Sequence, residues 1–142
     1  MNHLLDTAAE EISLFSRQLI YLKKELPIRS SEMGLLIFVQ KQNEGATPLL
    51  ISSFFRISKP SVTAMINELI SKGYLVKKPS ETDRRSYTVA VTDSGEELVA
   101  STHSEYFRGI EILKKKMGDL DFESLINLIH KANTILSEER DL

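Results

Sequence analysis

The stretch of residues 57–92 constrains the fold of this chain most, because its hydrophobic period changes there from that of a helix to that of a strand. Ser58 is a favourable N-cap, and the proline two residues later is tolerated in a first helical turn. Apolar residues then recur at spacings of four and three, as Val62, Ile66 and Leu69. This spacing predicts a helix with one buried face.

The opposite face of this predicted helix carries short or hydrogen-bonding side chains. They are Lys59, Ser61, Thr63, Ala64, Asn67 and Ser71. Side chains of this kind let a helix approach another surface closely. The groove of a DNA duplex is one surface that such a helix fits.

A β-hairpin is predicted directly after the helix. Lys72-Gly73 is a typical helix end, and residues 74–78 and 87–92 then alternate apolar and polar side chains as strands do. The loop between them is longer than a tight hairpin needs and carries Arg84 and Arg85. Because guanidinium groups are good donors to phosphates and the minor groove, helix and hairpin together predict a winged helix-turn-helix.

The charge distribution agrees with a local nucleic-acid contact. The formal net charge is −2, but residues 56–88 carry +4, whereas residues 1–55 carry −1 and residues 89–142 carry −5. A positive footprint confined to the helix and hairpin is what DNA binding requires. The alternative is that this excess is an ordinary solvated face.

Composition excludes several other classes. The sequence has no cysteine, so disulfides, thiolate metal sites and cysteine redox sensors are ruled out. Acidic residues interrupt the apolar residues of the N-terminal segment, and no apolar run approaches the roughly 20 residues of a membrane span. We therefore expect a soluble cytoplasmic protein with no cofactor, no metal and no membrane partner.

Two further helices are predicted before the helix that begins after Ser58, which we call the reading helix. Residues 29–32 offer a cap with an acidic first turn, and residues 33–42 follow as a broadly apolar core helix. Thr47 and Pro48 then begin a short helix through residue 55, which supplies Leu50 or Ile51 and Phe54 or Phe55 to the core. Two helices joined by a short turn form a helix-turn-helix. The helix end capped by Thr47 is a candidate phosphate site, because free N–H groups and the helix dipole favour an anion there; the alternative is that Thr47 is only a structural cap.

Long amphipathic helices are predicted on both flanks. The first runs from Leu5 to Leu26 and is ended by Pro27; at about 1.5 Å per residue its apolar stripe is about 33 Å long. Two more helices, residues 93–117 and a last one after Gly118, carry similar stripes. Each stripe packs within its own chain or against a second copy, and a two-fold dimer is the more economical solution. Lys114, Lys115 and Lys116 suit a helix C-terminus or a DNA backbone contact.

In order, length and motifs the chain resembles the MarR family of bacterial transcription regulators. The resemblance covers nearly the whole chain, and its most specific segments are ISKPSVT (57–63), LISKG (69–73), LV (75–76), DRR (83–85) and VTDSG (91–95). It implies a mainly α fold with a small β-wing (α+β), in one domain spanning residues 1–142. Within it, residues 30–92 form the winged helix-turn-helix core, and residues 1–27 and 95–142 form long N- and C-terminal dimerisation helices.

The resemblance also implies a set of site residues. The helix Lys59–Lys72 enters the major groove, Arg85 reaches the minor groove, Arg84 serves a phosphate, and Asp83 supports the arginines as a hydrogen-bond acceptor. The residues predicted to bind DNA are Thr47, Ser58, Lys59, Pro60, Ser61, Thr63, Ala64, Asn67, Lys77, Arg84 and Arg85. The function implied is a homodimeric regulator that represses transcription by binding a pseudo-palindromic operator.

Three residues depart from the family pattern. Ala64 and Glu68 stand where basic or longer polar side chains are common, and Arg56 stands where glycine is frequent. We therefore expect base readout to depend on Ser61, Thr63 and Asn67, with shape readout by Arg85.

Family members are often released from DNA by small anionic or aromatic effectors. Phe15, Tyr21, Met33 and Phe38 are candidates for lining such a crevice, or else are ordinary core residues. An enzyme is disfavoured, since the three histidines are scattered and no HExxH, P-loop or GxSxG spacing occurs. A winged-helix module that binds protein instead of DNA is the remaining alternative.

Overall fold

The computed structural model describes residues 2–23, 26–80 and 86–140. The elements in chain order are α1 (His3–Leu22), α2 (Ser30–Gln40), α3 (Pro48–Phe55), α4 (Lys59–Ser71), β1 (Leu75–Pro79), β2 (Tyr87–Val91), α5 (Asp93–Met117) and α6 (Asp119–Glu138). The protein is therefore mostly helical with one two-stranded antiparallel sheet, and the predicted mainly α fold with a β-wing is confirmed.

Local capping explains where most helices begin. The hydroxyl oxygens of Thr47, Ser58 and Thr92 accept hydrogen bonds from the backbone N–H groups three residues later, at 3.0, 3.3 and 3.1 Å. Each bond satisfies an N–H that has no partner within the helix. These three caps confirm the predicted starts of α3, α4 and α5.

The first helix ends earlier than predicted. Lys23 leaves the helical conformation, and its N–H bonds to Ile20 O at 3.0 Å, which closes α1 with a tighter turn. Leu26, predicted to continue the α1 stripe, instead packs against the core near α2. The prediction that Pro27 ends this helix was therefore wrong by about one turn, and Leu26 is partly buried against the core.

Every buried hydrophobic residue in the described ranges lies between Ile28 and Val99, and we call residues 28–99 the winged unit. The buried hydrophobic residues are Ile28, Met33, Leu35, Leu36, Val39, Ala46, Ile51, Val62, Ile66, Leu69, Leu75, Val89 and Val99. Of the alternatives left open for α3, Ile51 is fully buried and Phe55 packs on the core, whereas Leu50 and Phe54 are 42% and 60% exposed. One core thus holds α2, α3, α4, both strands and the start of α5.

The wing strands pair from Leu75↔Val91 to Pro79↔Tyr87. A further pairing was not predicted: Ala46, just before α3, exchanges two backbone hydrogen bonds with Val89 at 3.0 and 2.8 Å. It fastens the start of the helix-turn-helix to the wing.

The wing also joins the start of α5. The Thr92 hydroxyl donates to Gly73 O at 2.6 Å, and Gly95 lies so close to Tyr74 that an added Cβ would be 2.4 Å from its carbonyl oxygen. Only glycine fits there without a shift. Beyond this point α5 packs against α2 through Thr102 and Tyr106, and also against α1 and α6.

The α1 contact depends on Gly109 of α5, whose missing Cβ leaves room for Leu19 and Leu22. No helix in the described part of the chain combines the length and apolar character needed to cross a membrane.

Candidate nucleic-acid interface

The buried face of α4 fixes the direction of its exposed face. Val62, Ile66 and Leu69 are all 0% exposed, as predicted from their spacing. The residues on the other side are all exposed, and we call them the reading face: Lys59, Ser61, Thr63, Ala64, Asn67 and Ser71. The structure thus places together the α4 residues predicted to contact DNA.

Ser58 and Ser61 organise the N-terminus of α4. The Ser58 hydroxyl accepts from Ser61 N and donates to Ser61 Oγ at 2.9 Å. Because one hydroxyl pair satisfies the cap, the Ser61 hydroxyl proton remains available to an outside acceptor. Pro60 lies in the first turn, where its missing N–H has no helical partner to lose.

The start of α3 lies beside the start of α4. Thr47, Pro48 and Leu49 share a cleft of about 360 Å³ with Lys59 and with residues 86–87 of the wing. Two helix N-termini and an ammonium group therefore face one cleft, which gives it a positive potential. Thr47 is confirmed as the cap of α3, and its contact with a phosphate stays a prediction.

The wing contributes a second group of cations. Lys77 and Lys78 are exposed, and the Lys77 ammonium lies 4.0 Å from the centre of the Tyr87 ring, a cation–π contact that limits its freedom. Ser80 N donates to Ser86 O at 3.2 Å where the strands end. The predicted tip residues Asp83, Arg84 and Arg85 lie outside the described residues.

Glu68, one of the departures from the family pattern, pairs within the protein. Its carboxylate lies 3.5 Å from Lys72 Nζ, which also lies 3.8 Å from the carboxylate of Glu32. Glu32 is fully buried and accepts hydrogen bonds from Arg29 N and Arg29 Nε at 3.1 and 3.2 Å. Lys72 thus connects the end of α4 to the start of α2, and Glu68 pairs with Lys72 on the exposed side of the same helix.

Sequence reasoning missed the burial of Glu32, and the signal for it was a glutamate at the third position of an otherwise apolar helix. At that position a carboxylate turns back to the N-cap N–H. The other oxygen, Glu32 Oε2, has no hydrogen-bond partner among the described atoms.

Arg56, another departure, ends α3 in the left-handed conformation, with φ 57° and ψ 45°. It is the one non-glycine residue with positive φ in the described ranges, and this conformation costs an L-residue about 1–2 kcal/mol. Its guanidinium does not reach the reading face. It donates from Nη1 to Asn133 O at 3.0 Å and to Ser137 Oγ at 2.6 Å, both on α6.

The four residues predicted to line an effector crevice lie in different surroundings. Met33 is fully buried in the core, Tyr21 is 63% exposed on α1, and Phe15 is half-buried on the same helix. Phe38 stacks on Phe54 with 4.3 Å between ring centres. For Met33 the core alternative is the one that the structure supports.

Phe38 lines a cavity of about 420 Å³ with Gly34, Phe55 and Tyr106. A separate cavity of about 560 Å³ lies where the end of α1 meets α2 and the end of α4. Its lining residues are Ile20, Lys23, Leu26, Pro27, Ile28, Arg29, Ser30, Glu32, Glu68 and Lys72. Burial lowers the pKa of Lys23, whose ammonium lies 4.4 Å from the centre of the Tyr106 ring, and burial raises the pKa of Tyr106. The cavity therefore combines apolar walls with three cations, of which Arg29 and Lys72 pair with the carboxylates of Glu32 and Glu68, beside the C-terminus of the reading helix.

Comparison with known proteins places this architecture in a family. The family model described as MarR family matches residues 26–86. An HTH-type transcriptional regulator of Mycobacterium tuberculosis (strain CDC 1551 / Oshkosh) is 34% identical over 96 residues, which cover 64% of this chain and 66% of that protein. The chain thus aligns with about two thirds of the length of this curated relative.

Solved structures show the same fold over more of the chain. A MarR protein from Peptoclostridium difficile DA00132 is 25% identical, with a TM-score of 0.74 over 98% of this chain and 90% of that one. S. aureus MepR in complex with DNA is 16% identical, with a TM-score of 0.79 over 89% of this chain and 96% of that one. The chain belongs to the MarR family of transcriptional regulators.

Proposed function

We propose that the protein is a cytoplasmic, homodimeric regulator that binds specific DNA sequences and represses transcription. The observation that carries this proposal is the exposed reading face of α4, held by three fully buried residues and flanked by the positive cleft at the starts of α3 and α4. Its residues are small or hydrogen-bonding, so the helix backbone can come close to base edges in a major groove.

The contacts divide into two kinds. Ser61, Thr63 and Asn67 present hydroxyl and amide groups that hydrogen-bond base edges, and the Ala64 methyl suits a thymine methyl. Lys59, Lys77 and the helix end capped by Thr47 suit phosphates, with Arg84 and Arg85 predicted to extend this set. The fold match to MepR, which was solved with DNA, supports this docking mode.

The dimer is supported by apolar surface that a single chain leaves uncovered. On α1, Leu4, Leu5 and Ile12 are 74%, 66% and 66% exposed; on α6, Leu120 and Leu128 are 82% and 64% exposed. Exposed apolar residues gathered on two helices are typical of an interface between copies. A two-fold axis then sets two reading helices about one helical turn apart, ~34 Å.

We propose further that an effector binds in the cavity between α1, α2 and α4. An aromatic or aliphatic anion matches apolar walls that carry Lys23, while Arg29 and Lys72 also pair with the carboxylates of Glu32 and Glu68. Because Lys72 and Glu68 belong to the end of α4, a ligand there acts directly on the reading helix. Benzoate is a suitable first probe, and release of bound DNA by benzoate in wild type but not in Lys23→Ala is the expected result.

DNA binding is tested by fluorescence anisotropy with duplexes selected from a random pool. Asn67→Ala is expected to weaken binding to the selected site by about 1–3 kcal/mol, while binding to unrelated duplex stays the same. Gln18→Ala, which removes an exposed amide from α1, is the matched control and leaves both affinities unchanged.

Salt dependence separates phosphate contacts from other surface charge. Lys59→Ala is expected to reduce the slope of log affinity against log salt concentration by about one, whereas Lys115→Ala on α5 leaves it unchanged. Equal slopes for the two variants contradict the assignment. Failure of wild type to bind any duplex, including the promoter of its own gene, favours the protein-binding alternative.

A further inference from the structure

Arg56 connects the turn of the helix-turn-helix to a distant helix. Its Nη1 donates to Asn133 O and to Ser137 Oγ, at 3.0 and 2.6 Å, across 77 and 81 residues of sequence. The turn precedes the reading helix directly, whereas α6 carries part of the apolar surface described above. One side chain thus joins the part of the molecule that faces DNA to the part that faces a second copy.

The backbone around Arg56 is held by several hydrogen bonds, so the direction in which its side chain leaves the turn is set. Arg56 N and Ile57 N both donate to Ser52 O, and the Ser52 hydroxyl donates to Ile57 O at 2.6 Å. A left-handed non-glycine residue persists only where the surrounding structure imposes it. The contact with α6 is therefore made from a fixed turn and not from a freely rotating segment.

The α6 side of this contact favours a cation. The last turn of α6 contains no basic residue of its own, and the carbonyl groups near a helix C-terminus carry partial negative charge. The Arg56 guanidinium supplies the positive group there. A planar guanidinium also fixes orientation better than an ammonium does, because its N–H groups point in set directions.

We infer that Arg56 is a positioning residue that fixes the angle between α4 and α6, and thereby the separation of the two reading helices in the homodimer. In this role it makes the regulator selective for the spacing between operator half-sites, without contacting DNA. This inference rests on the proposed function above. Arg56, at a turn position where glycine is common, therefore acts through its contact with α6.

The first test measures the geometry without DNA. The sequence has no cysteine, so Ser71→Cys introduces a single spin-label site on the exposed face of α4 in each chain. Pulsed electron paramagnetic resonance then gives the distance distribution between the two labels. We expect a narrow distribution with Arg56 and a broader or displaced one with Arg56→Gly, which keeps the turn because glycine adopts positive φ freely.

The second test measures spacing selectivity. Affinities are compared for the selected operator and for duplexes with one or two base pairs added to or removed from its centre. Arg56→Gly is expected to lower the preference for the natural spacing by about fivefold, as when a coupling between contacting groups is removed. Affinity for a duplex with one half-site stays unchanged, which a general loss of structure would not give.

Ser137→Ala keeps the turn and Arg56 and removes one acceptor, so it tests the same contact from α6. It is expected to change spacing preference in the same direction by a smaller factor, and to add nothing in the Arg56→Gly background. Unchanged distances and unchanged spacing preference in both variants overturn the inference. If wild type binds no DNA, the proposed function fails, and the distance measurement still decides whether Arg56 fixes the geometry.

Discussion

The winged unit and the two terminal helices were built from similar amphipathic patterns but have different surroundings. Val62, Ile66 and Leu69 of α4 recur at helical spacing and are fully buried. The terminal helices α1 and α6 show the same spacing, yet neither has a buried residue within the described ranges. The winged unit therefore completes its own core, whereas the terminal helices need a second surface.

The α1 stripe shows this difference within one helix. Phe15, Leu19 and Leu22 at its C-terminal end are half-buried, the last two against α5. Leu4 and Ile12 lie on the same stripe farther from α5 and are 74% and 66% exposed. Periodicity thus predicts which side of a helix is apolar, but the fold of the whole chain decides which part of that side is covered.

The largest expected effect comes from the core of the winged unit. Ile66→Ala removes a fully buried side chain and is expected to lower the free energy of unfolding by about 2–5 kcal/mol, measured by urea denaturation. Leu49→Ala, at a 59% exposed position of α3, is the control and changes it by less than about 0.5 kcal/mol. Similar losses for the two variants contradict the description of one closed core.

Alanine substitutions at two glycines of α5 compare how tightly this helix packs on the winged unit and on α1. Gly95→Ala places a Cβ 2.4 Å from Tyr74 O and 2.6 Å from Val91 Cγ1 and is expected to cost about 1–3 kcal/mol, because backbone cannot yield easily. Gly109→Ala meets the flexible tips of Leu22 and Leu19 at 3.0 and 3.4 Å, so it is expected to cost less. The midpoint of thermal unfolding is measured for both variants. A larger loss of stability for Gly109→Ala than for Gly95→Ala would show that the tighter packing is at α1.

The exposed surface of the terminal helices is tested by the association state. Ile12→Ser with Leu128→Ser is expected to weaken dimerisation by roughly 10- to 100-fold, because two-fold symmetry removes each side chain twice. Sedimentation equilibrium gives the dissociation constant. Leu49→Ser removes an equally exposed side chain from the winged unit and is expected to leave it unchanged. A wild type that sediments as a monomer would remove the basis of the homodimer.

The smallest effect is expected from the surface charges of the winged unit. Glu68→Gln removes the partner that lies 3.5 Å from Lys72, both groups being partly exposed, and is expected to change the free energy of unfolding by less than about 0.5 kcal/mol. High salt should make the two proteins indistinguishable in the same urea assay. A loss of several times that size would show that Glu68 also holds Lys72 near the buried carboxylate of Glu32.

The sequence predicted what depends on neighbouring residues. The caps at Thr47 and Ser58, the start of α5, the buried face of α4 and the two wing strands follow from spacings of a few residues, and the structure contains each of them. The direction of the reading face follows from the buried face by geometry, since the two lie on opposite sides of one helix.

What the sequence did not predict depends on residues far apart in the chain. The pairing of Ala46 with Val89, the packing of Leu26 against the core and the contact of Arg56 with Ser137 can be recognised only once the fold is known. Whether Met33 lines an effector crevice or fills the core was left open by the sequence for the same reason, because an apolar side chain gives no local sign of which it does; in the structure Met33 is fully buried in the core.

The length of α5 has a mechanical consequence. Its first turn is fastened to the wing by Thr92 and Gly95, and its last turn at Met117 adjoins α6. Its 25 residues form a rod about 37 Å long that also packs on α2, so a tilt of about five degrees about Gly95, shared by α5 and α2, would move the Met117 end by about 3 Å. A lever of this length converts an angular change at the wing into a translation at the opposite end, and a translation there into an angular change at the wing.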